Sequence, residues 1–151
     1  MVALALDPGG TTGYTLSNGD VLLGGQLGPD IHRLELWTLL NNVAPAKVIC
    51  ERFDYEIRRD SQDMFDVPGI ELISRNYIGV VELYCDLTDT PLYMQARQVL
   101  TIKWCSDDAL KTLGIYTPGM PHQNDSARHM LYHTVVTERD TSILRKLKRS
   151  G

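Results

Sequence analysis

The stretch MVALALDPGGTTGYTL (residues 1–16) decides the fold. Residues 2–6 form an apolar run that is typical of a buried strand, and this run ends in a charged residue, Asp7. The Pro-Gly-Gly sequence at 8–10 predicts a tight turn, because proline fixes φ and glycine tolerates positive φ. A strand-like pattern resumes at residues 12–17. The stretch therefore predicts a hairpin that displays the Asp7 carboxylate at its base, where it could bind a metal ion, or a phosphate through a metal.

Similar patterns along the rest of the chain predict a mixed α/β domain. Strand patterns recur at residues 21–27, 46–50 and 90–100, the last of which reads TPLYMQARQVL. Helical patterns cover residues 29–45, 69–87, 106–114 and 121–138. Ser106 is expected to cap the short third helix, and Gly114 to end it. We predict a mixed five-stranded central sheet, with an antiparallel three-strand meander first, flanked by helices.

Composition places limits on the domain. The 151 residues suit one domain, 1–151, with a basic tail at about 139–151. No stretch approaches the roughly 18 apolar residues of a membrane span, so we expect a cytoplasmic protein with no membrane partner. Three widely spaced cysteines are expected to be buried, reduced thiols. Net charge is −4, but acidic residues crowd 54–66 and basic ones 145–149, so charge alone does not decide whether nucleic acid is a partner.

Two of the predicted strands end in an acid. Asp7 follows the run at residues 2–6, and Glu51 follows the run at residues 46–50. If these strands are parallel neighbours, both carboxylates lie at one edge of the sheet, where ligand sites of open α/β sheets are usually found. The two acids are therefore candidate ligands of one site.

The last predicted helix, residues 121–138, adds polar groups on one face. His122, Asp125 and His129 are spaced three and four residues apart, which places them on a single side of a helix. Gathered carboxylates repel each other, and a divalent cation makes such a cluster tolerable. Oxygen ligands with one imidazole suit Mg²⁺ or Mn²⁺ better than Zn²⁺, although a histidine stripe at 122, 129 and 133 leaves zinc as an alternative. Two ions about 4 Å apart would suit phosphodiester hydrolysis.

The order of these motifs resembles the RuvC-type Holliday junction resolvases of the RNase H-like superfamily. LALDPGGTTGYTL is similar to the first strand and turn of that family, VICERF to its glutamate strand, and HQNDSARHMLYH to its last helix. The resemblance implies an RNase H-like fold and a crossover junction endonuclease that uses two Mg²⁺ ions, with Mn²⁺ as a substitute. It implies that Asp7, Glu51, His122 and Asp125 are the catalytic, metal-binding residues.

The resemblance also implies partners. Relatives act as homodimers on four-way or other branched DNA, and the helix predicted at 69–87 is a candidate dimer surface. Arg52 and Phe53 follow the glutamate strand, where relatives insert an aromatic side chain into the junction. Lys103 and Lys111 are similar in placement to lysines of the family that contact phosphates. The short chain and its DSARH sequence look closer to phage-encoded members, which act in the bacterial host cytoplasm.

Other interpretations of the same residues remain open. A related RNase H-like nuclease for flaps or RNA–DNA hybrids would use the same metals. DPGGTTG (7–13) also looks like the first phosphate-binding loop of the sugar kinase and actin-like ATPase superfamily, although the chain shows no second phosphate loop. A non-catalytic DNA-binding module is a third alternative.

Overall fold

A computed structural model describes residues 1–19, 22–28, 33–53 and 70–149 of the chain. The acidic stretch at 54–66 and the predicted start of the first helix at residues 29–32 lie outside the described residues. So does Val21, the first residue of the strand predicted at 21–27. Nothing is described of the side chains at residues 70–73.

The strands form one mixed five-stranded sheet, as predicted. They are β1 (Ala3–Asp7), β2 (Thr12–Ser17), β3 (Leu22–Leu27), β4 (Lys47–Glu51) and β5 (Leu92–Gln95). The order across the sheet is β3-β2-β1-β4-β5. Strands β1, β2 and β3 pair antiparallel, which confirms the meander, while β4 runs parallel to both β1 and β5.

In the described part of the chain, five α-helices accompany the sheet. They are α1 (Arg33–Val43), α2 (Ile70–Thr88), α3 (Asp107–Thr112), α4 (Pro121–Tyr132) and α5 (Ser142–Arg149). The short α3 is capped as predicted: the Ser106 hydroxyl accepts from the Ala109 N–H at 3.3 Å. Gly114 follows α3 with φ +72°, the left-handed conformation that glycine adopts without strain.

Side chains alternate between the two faces of the sheet along β1 and β4, so each face packs against a different set of helices. Leu4, Leu6, Val48 and Cys50 point to one face, where they pack against α1 and α2. Ala3, Ala5 and Ile49 point to the other face and contact Met130 of α4. Since Asp7 and Glu51 follow the same alternation, they lie on the α4 face. The apolar pattern of two strands thus decides that the strand-end acids meet α4.

The prediction that residues 90–100 form one strand is wrong. Strand β5 ends at Gln95, and residues 97–101 and 103–105 form two short 3₁₀ turns. Val99 is buried from the first turn, and Cys105 from the second. The run is apolar because its side chains fill space beside α4, which a periodicity argument cannot distinguish from a longer strand.

The predicted last helix is shorter and ends differently. Helix α4 ends at Tyr132, and a π-helical turn covers residues 133–137. Helix α5 lies within the segment predicted as a basic tail. The three cysteines are free and buried, as expected. In the part of the chain that the structure describes, no helix combines the length and apolarity that crossing a bilayer requires.

Candidate metal centre

Asp7 and Glu51 stand side by side at the edge of the sheet. The parallel register pairs Leu6 with Cys50, so each acid lies one residue beyond this pair on its own strand. Adjacent strands are about 4.8 Å apart, which brings two such residues within reach of a common ligand. The predicted convergence of Asp7 and Glu51 is therefore a consequence of the parallel β1–β4 pairing.

The start of α4 is fastened over this edge by a side chain from β3. The side-chain oxygen Oε1 of Gln26 accepts hydrogen bonds from the backbone N–H groups of His122 (3.0 Å) and Gln123 (3.3 Å). These donors would otherwise lack partners, because the first turn of a helix makes no internal bonds for them. These hydrogen bonds hold the start of α4 in the position where His122 Nδ1 lies 2.8 Å from Asp7 Oδ2.

Asp125 lies one turn further along α4 and is paired with an arginine. Arg128, three residues later on the same helix, donates to Asp125 and also to Asp107 at the start of α3. Its Nε donates to the carbonyl oxygen of Cys105 at 2.9 Å. A cavity of about 270 Å³, lined by Asp125, Arg128 and Tyr116 among others, borders this pair. Arg128 was not predicted as part of the site, although its spacing from Asp125 is typical of a helical ion pair.

Glu51 has a buried partner that the sequence did not identify for this role. His129 Nε2 lies 2.9 Å from Glu51 Oε2, and His129 Nδ1 lies 2.9 Å from Gln95 Oε1. His129 is fully buried, and Gln95 is 7% exposed. Gln95 ends β5 in the same way as Asp7 ends β1, a signal that was hidden because the strand was predicted to continue to residue 100.

The acids perturb one another electrostatically. Burial, followed by the nearby charge of Glu51 and a smaller effect of Asp125, raises the pKa of Asp7 from its ordinary 3.8 to about 6, against the opposing effect of His122. Burial also raises the pKa of Asp125, and Arg128 opposes that rise. The site therefore carries more negative charge than its surroundings stabilise, a condition that a cation would relieve.

The donor set fits Mg²⁺ or Mn²⁺ in its chemistry. It offers three carboxylates and one imidazole, and His122 can keep Nδ1 on Asp7 while Nε2 remains available. Within the described ranges, no group of three or more His, Cys, Asp or Glu side chains is already arranged as a metal cage. Each acid faces a partner of its own: His122 for Asp7, His129 for Glu51 and Arg128 for Asp125.

The zinc alternative is not supported, because the three histidines of α4 and the turn after it face different partners. His122 contacts Asp7, and His129 lies between Glu51 and Gln95. His133 packs against the Tyr93 ring, with ring centroids 4.5 Å apart. Ligands of one zinc ion would have to converge on one point.

The predicted DNA-binding residues occupy different surroundings. Arg52 is exposed beside Glu51, and its backbone N–H donates to the backbone carbonyl oxygen of Gln95 at 2.6 Å. Phe53 is partly buried against the core between the sheet and helices α1 and α2. Lys103 is exposed on the second 3₁₀ turn. Lys111 lies 3.6 Å from Asp108 and 5.0 Å from the centre of the Tyr116 ring, so it stands near the cavity beside Asp125.

Comparison with known proteins identifies the fold. No protein-family model matches the sequence, and no curated protein matches it significantly. Among solved structures, T. thermophilus RuvC in complex with Holliday junction substrate matches with a TM-score of 0.66 and 17% identity, over 93% of this chain and 97% of RuvC. This chain has the RNase H-like fold of RuvC.

A second solved structure, Thermus thermophilus RuvC, matches with a TM-score of 0.60 and 18% identity, over 92% of this chain and 96% of RuvC. The likeness to RuvC therefore extends over nearly the whole of both chains. It confirms the predicted fold class.

Proposed function

We propose that this protein is a metal-dependent, structure-selective endonuclease that resolves Holliday junctions and related branched DNA. The proposal is supported by the placement of Asp7 and Glu51 at the ends of adjacent strands of a RuvC-like sheet, with His122 in contact with Asp7 and the charge of Asp125 acting on it. These residues come from two strands and a helix that are far apart in sequence. The likeness to a RuvC that is described in complex with Holliday junction substrate supports the choice of DNA.

Each residue of the site has a distinct role in the proposed reaction. Asp7, Glu51 and Asp125 would hold divalent cations through carboxylate oxygens, and His122 would add a nitrogen ligand through Nε2. Two Mg²⁺ ions, when bound, supply an activated water and stabilise the leaving 3′ oxygen, so that cleavage leaves a 5′-phosphate. Arg128 favours the ionised form of Asp125 and links it to Asp107 at the start of α3.

Exposed basic residues near the site would position the DNA. Arg52, Lys103 and Lys111 are the proposed phosphate contacts, and such contacts fix the register of DNA without reading its sequence. Phe53, at the end of β4, is the proposed aromatic contact with the junction. We further propose that the protein acts as a homodimer through α2, since two symmetric cuts need two sites. We also propose that it is a phage-encoded enzyme that acts in a bacterial host cytoplasm.

A panel of substrates tests the proposal. Labelled four-way junction, flap, duplex and RNA–DNA hybrid are incubated with the protein in Mg²⁺, Mn²⁺ or EDTA. Paired nicks in the junction, dependent on the metal, are expected. Cleavage of flaps or hybrids in preference to junctions would favour the related nuclease instead. Absence of any cleavage, with stabilisation by Mg-ATP in a thermal melt, would favour the nucleotide-binding interpretation.

Replacing one strand-end acid should stop the reaction without unfolding the protein. Glu51→Gln is expected to lower the rate of junction cleavage at least about 100-fold, the scale for losing one group that stabilises developing charge. Binding of the junction, measured by gel shift in EDTA, should be retained. Glu35→Gln, an exposed glutamate on α1, is the matched control and should cleave like the wild type. Full activity of Glu51→Gln would remove Glu51 from the site.

A further inference from the structure

Behind Glu51, a buried row of polar side chains crosses three elements of the fold. The row runs from Glu51 on β4 to His129 on α4 and ends at Gln95 on β5, with both polar contacts at 2.9 Å. His129 has no exposed surface, whereas the Glu51 side chain is 16% exposed at the mouth of the site. One end of the row thus lies at the candidate metal centre, and the other, Gln95, is 7% exposed.

The row is held by more than these two contacts. Gln95 is the register partner of Glu51 in the parallel β4–β5 pair, and its backbone carbonyl oxygen accepts from the backbone N–H of Arg52 at 2.6 Å. His129 stands one helical turn after Asp125, on the same face of α4. The ring therefore has little freedom, since its helix packs on the sheet and both of its nitrogens face polar atoms. The Gln95 amide can satisfy Nδ1 in either orientation of its terminal group.

Such a row of contacts can restrict the conformations of the Glu51 side chain. A glutamate has one more rotatable bond than an aspartate, so a glutamate at a strand end samples several positions unless one of its oxygens is held. The His129 Nε2–H donates to Oε2 and so holds one of the two carboxylate oxygens. Partners of this kind, which orient a ligand without touching the metal, are a general feature of metal sites.

We infer that His129, held in place by Gln95, is a positioning residue that fixes Glu51 for divalent-cation binding. The inference rests on the proposed function, because it assigns His129 a role toward the cation of that same site. A histidine that merely fills the core would stabilise the fold and leave cation affinity unchanged. The two roles therefore differ in a quantity that can be measured without DNA.

The test measures Mn²⁺ affinity of the DNA-free protein by calorimetry or by the paramagnetic resonance signal of free Mn²⁺. His129→Leu is expected to weaken Mn²⁺ binding about 10- to 100-fold, the range for losing the partner of a metal ligand. His129→Gln, whose amide can still donate to Glu51, should recover most of that affinity. Junction cleavage by His129→Leu should need correspondingly more Mn²⁺ and approach the wild-type rate at saturation.

A second buried histidine provides the matched control. His133 lies one turn after His129, is 2% exposed, and contacts Tyr93 rather than Glu51. His133→Leu should alter thermal stability in EDTA but leave Mn²⁺ affinity at the wild-type value. Gln95→Leu, which removes only the far end of the row, should weaken Mn²⁺ binding in the same direction but less. The Gln95→Leu variant therefore tests the inference even if His129→Leu does not fold.

The outcomes separate this inference from the proposed function. Wild-type Mn²⁺ affinity in folded His129→Leu, or in Gln95→Leu, would overturn the positioning role while leaving the metal-dependent nuclease intact. Equal losses in His133→Leu and His129→Leu would also overturn it, because a general packing effect would then explain both. A wild-type protein that neither binds Mn²⁺ nor cleaves any branched DNA would overturn both proposals.

Discussion

Asp7→Asn is expected to make the metal-free protein more stable at neutral pH while abolishing cleavage. Burial and the charges of Glu51 and Asp125 raise the pKa of Asp7 from 3.8 to about 6, so the folded chain holds an ionised carboxylate in surroundings that disfavour it. That difference in pKa corresponds to roughly 3 kcal/mol. Since asparagine keeps the volume but weakens the contact with His122, we expect a net gain of about 1–2 kcal/mol in the free energy of unfolding.

The sign of the pH dependence follows from the direction of the shift. The folded state binds the Asp7 proton more tightly than the unfolded state does, so this residue contributes stability that is fully present below about pH 3.8 and lost as the pH rises through about 6. The advantage of Asp7→Asn should therefore be full above about pH 7 and shrink as the pH falls toward 4. Urea unfolding of both proteins in EDTA across this pH range measures the difference in their free energies of unfolding. Asp86→Asn, on the exposed surface of α2, is the control.

Adding Mg²⁺ should make the wild type more stable than Asp7→Asn. A cation that binds only the folded protein stabilises it by about 2.7 kcal/mol at a concentration 100 times its dissociation constant. The wild type should gain this stability in Mg²⁺, whereas Asp7→Asn should gain little because a ligand is missing. An Asp7→Asn variant that is less stable than wild type in EDTA, or equally stabilised by Mg²⁺, would contradict the assignment of Asp7 as a strained ligand.

The sequence was sufficient to predict the mixed sheet and the placement of Asp7 and Glu51 at the ends of neighbouring strands. Asp7 and Glu51 each end a short apolar run, and the parallel pairing of such runs places both acids at one edge. Side-chain alternation then directs them to α4, whose polar face was visible as a helical spacing. These inferences succeeded because each depends on a local period and on one rule of sheet geometry.

The partners of the acids could not be predicted in the same way. His129 and Glu51 are 78 residues apart, and their contact depends on the crossing of α4 over β4, which no local pattern specifies. The end of β5 at Gln95 was missed because the apolar residues that follow, such as Val99, are buried in a 3₁₀ turn instead of a strand. Tertiary packing decided both features, and a single sequence does not record which surface an apolar side chain meets.

Gly13→Ala is expected to be the most disruptive single change near the site. Gly13 pairs with Asp7 in the β1–β2 hairpin and lies directly beneath the start of α4. A methyl group at this residue would lie 1.9 Å from the carbonyl oxygen of His122, 2.1 Å from its carbonyl carbon and 2.6 Å from the Gln123 nitrogen. These are backbone atoms, so no side chain can rotate away, and the start of α4 must move outward by more than 1 Å.

That movement would separate the groups that the fold brings together. The hydrogen bonds from His122 and Gln123 to Gln26 and the 2.8 Å contact between His122 and Asp7 would be lost or lengthened. We expect a loss of at least about 3 kcal/mol in the free energy of unfolding, at the upper end for overpacking. Cleavage should fall about 100-fold or more, because misplacement of reacting groups by 1 Å has effects of this size. Urea unfolding and junction cleavage measure the two effects.

Gly10→Ala in the same hairpin is the control, and it also separates two functions. A methyl group at Gly10 would meet nothing within 4 Å, so this variant should fold and cleave like the wild type. In a phosphate-binding loop the order would be reversed, because a side chain in the turn would keep the backbone N–H groups away from a nucleotide. A harmful Gly10→Ala with a harmless Gly13→Ala would therefore contradict the metal centre at the start of α4 and favour nucleotide binding by the glycine turn.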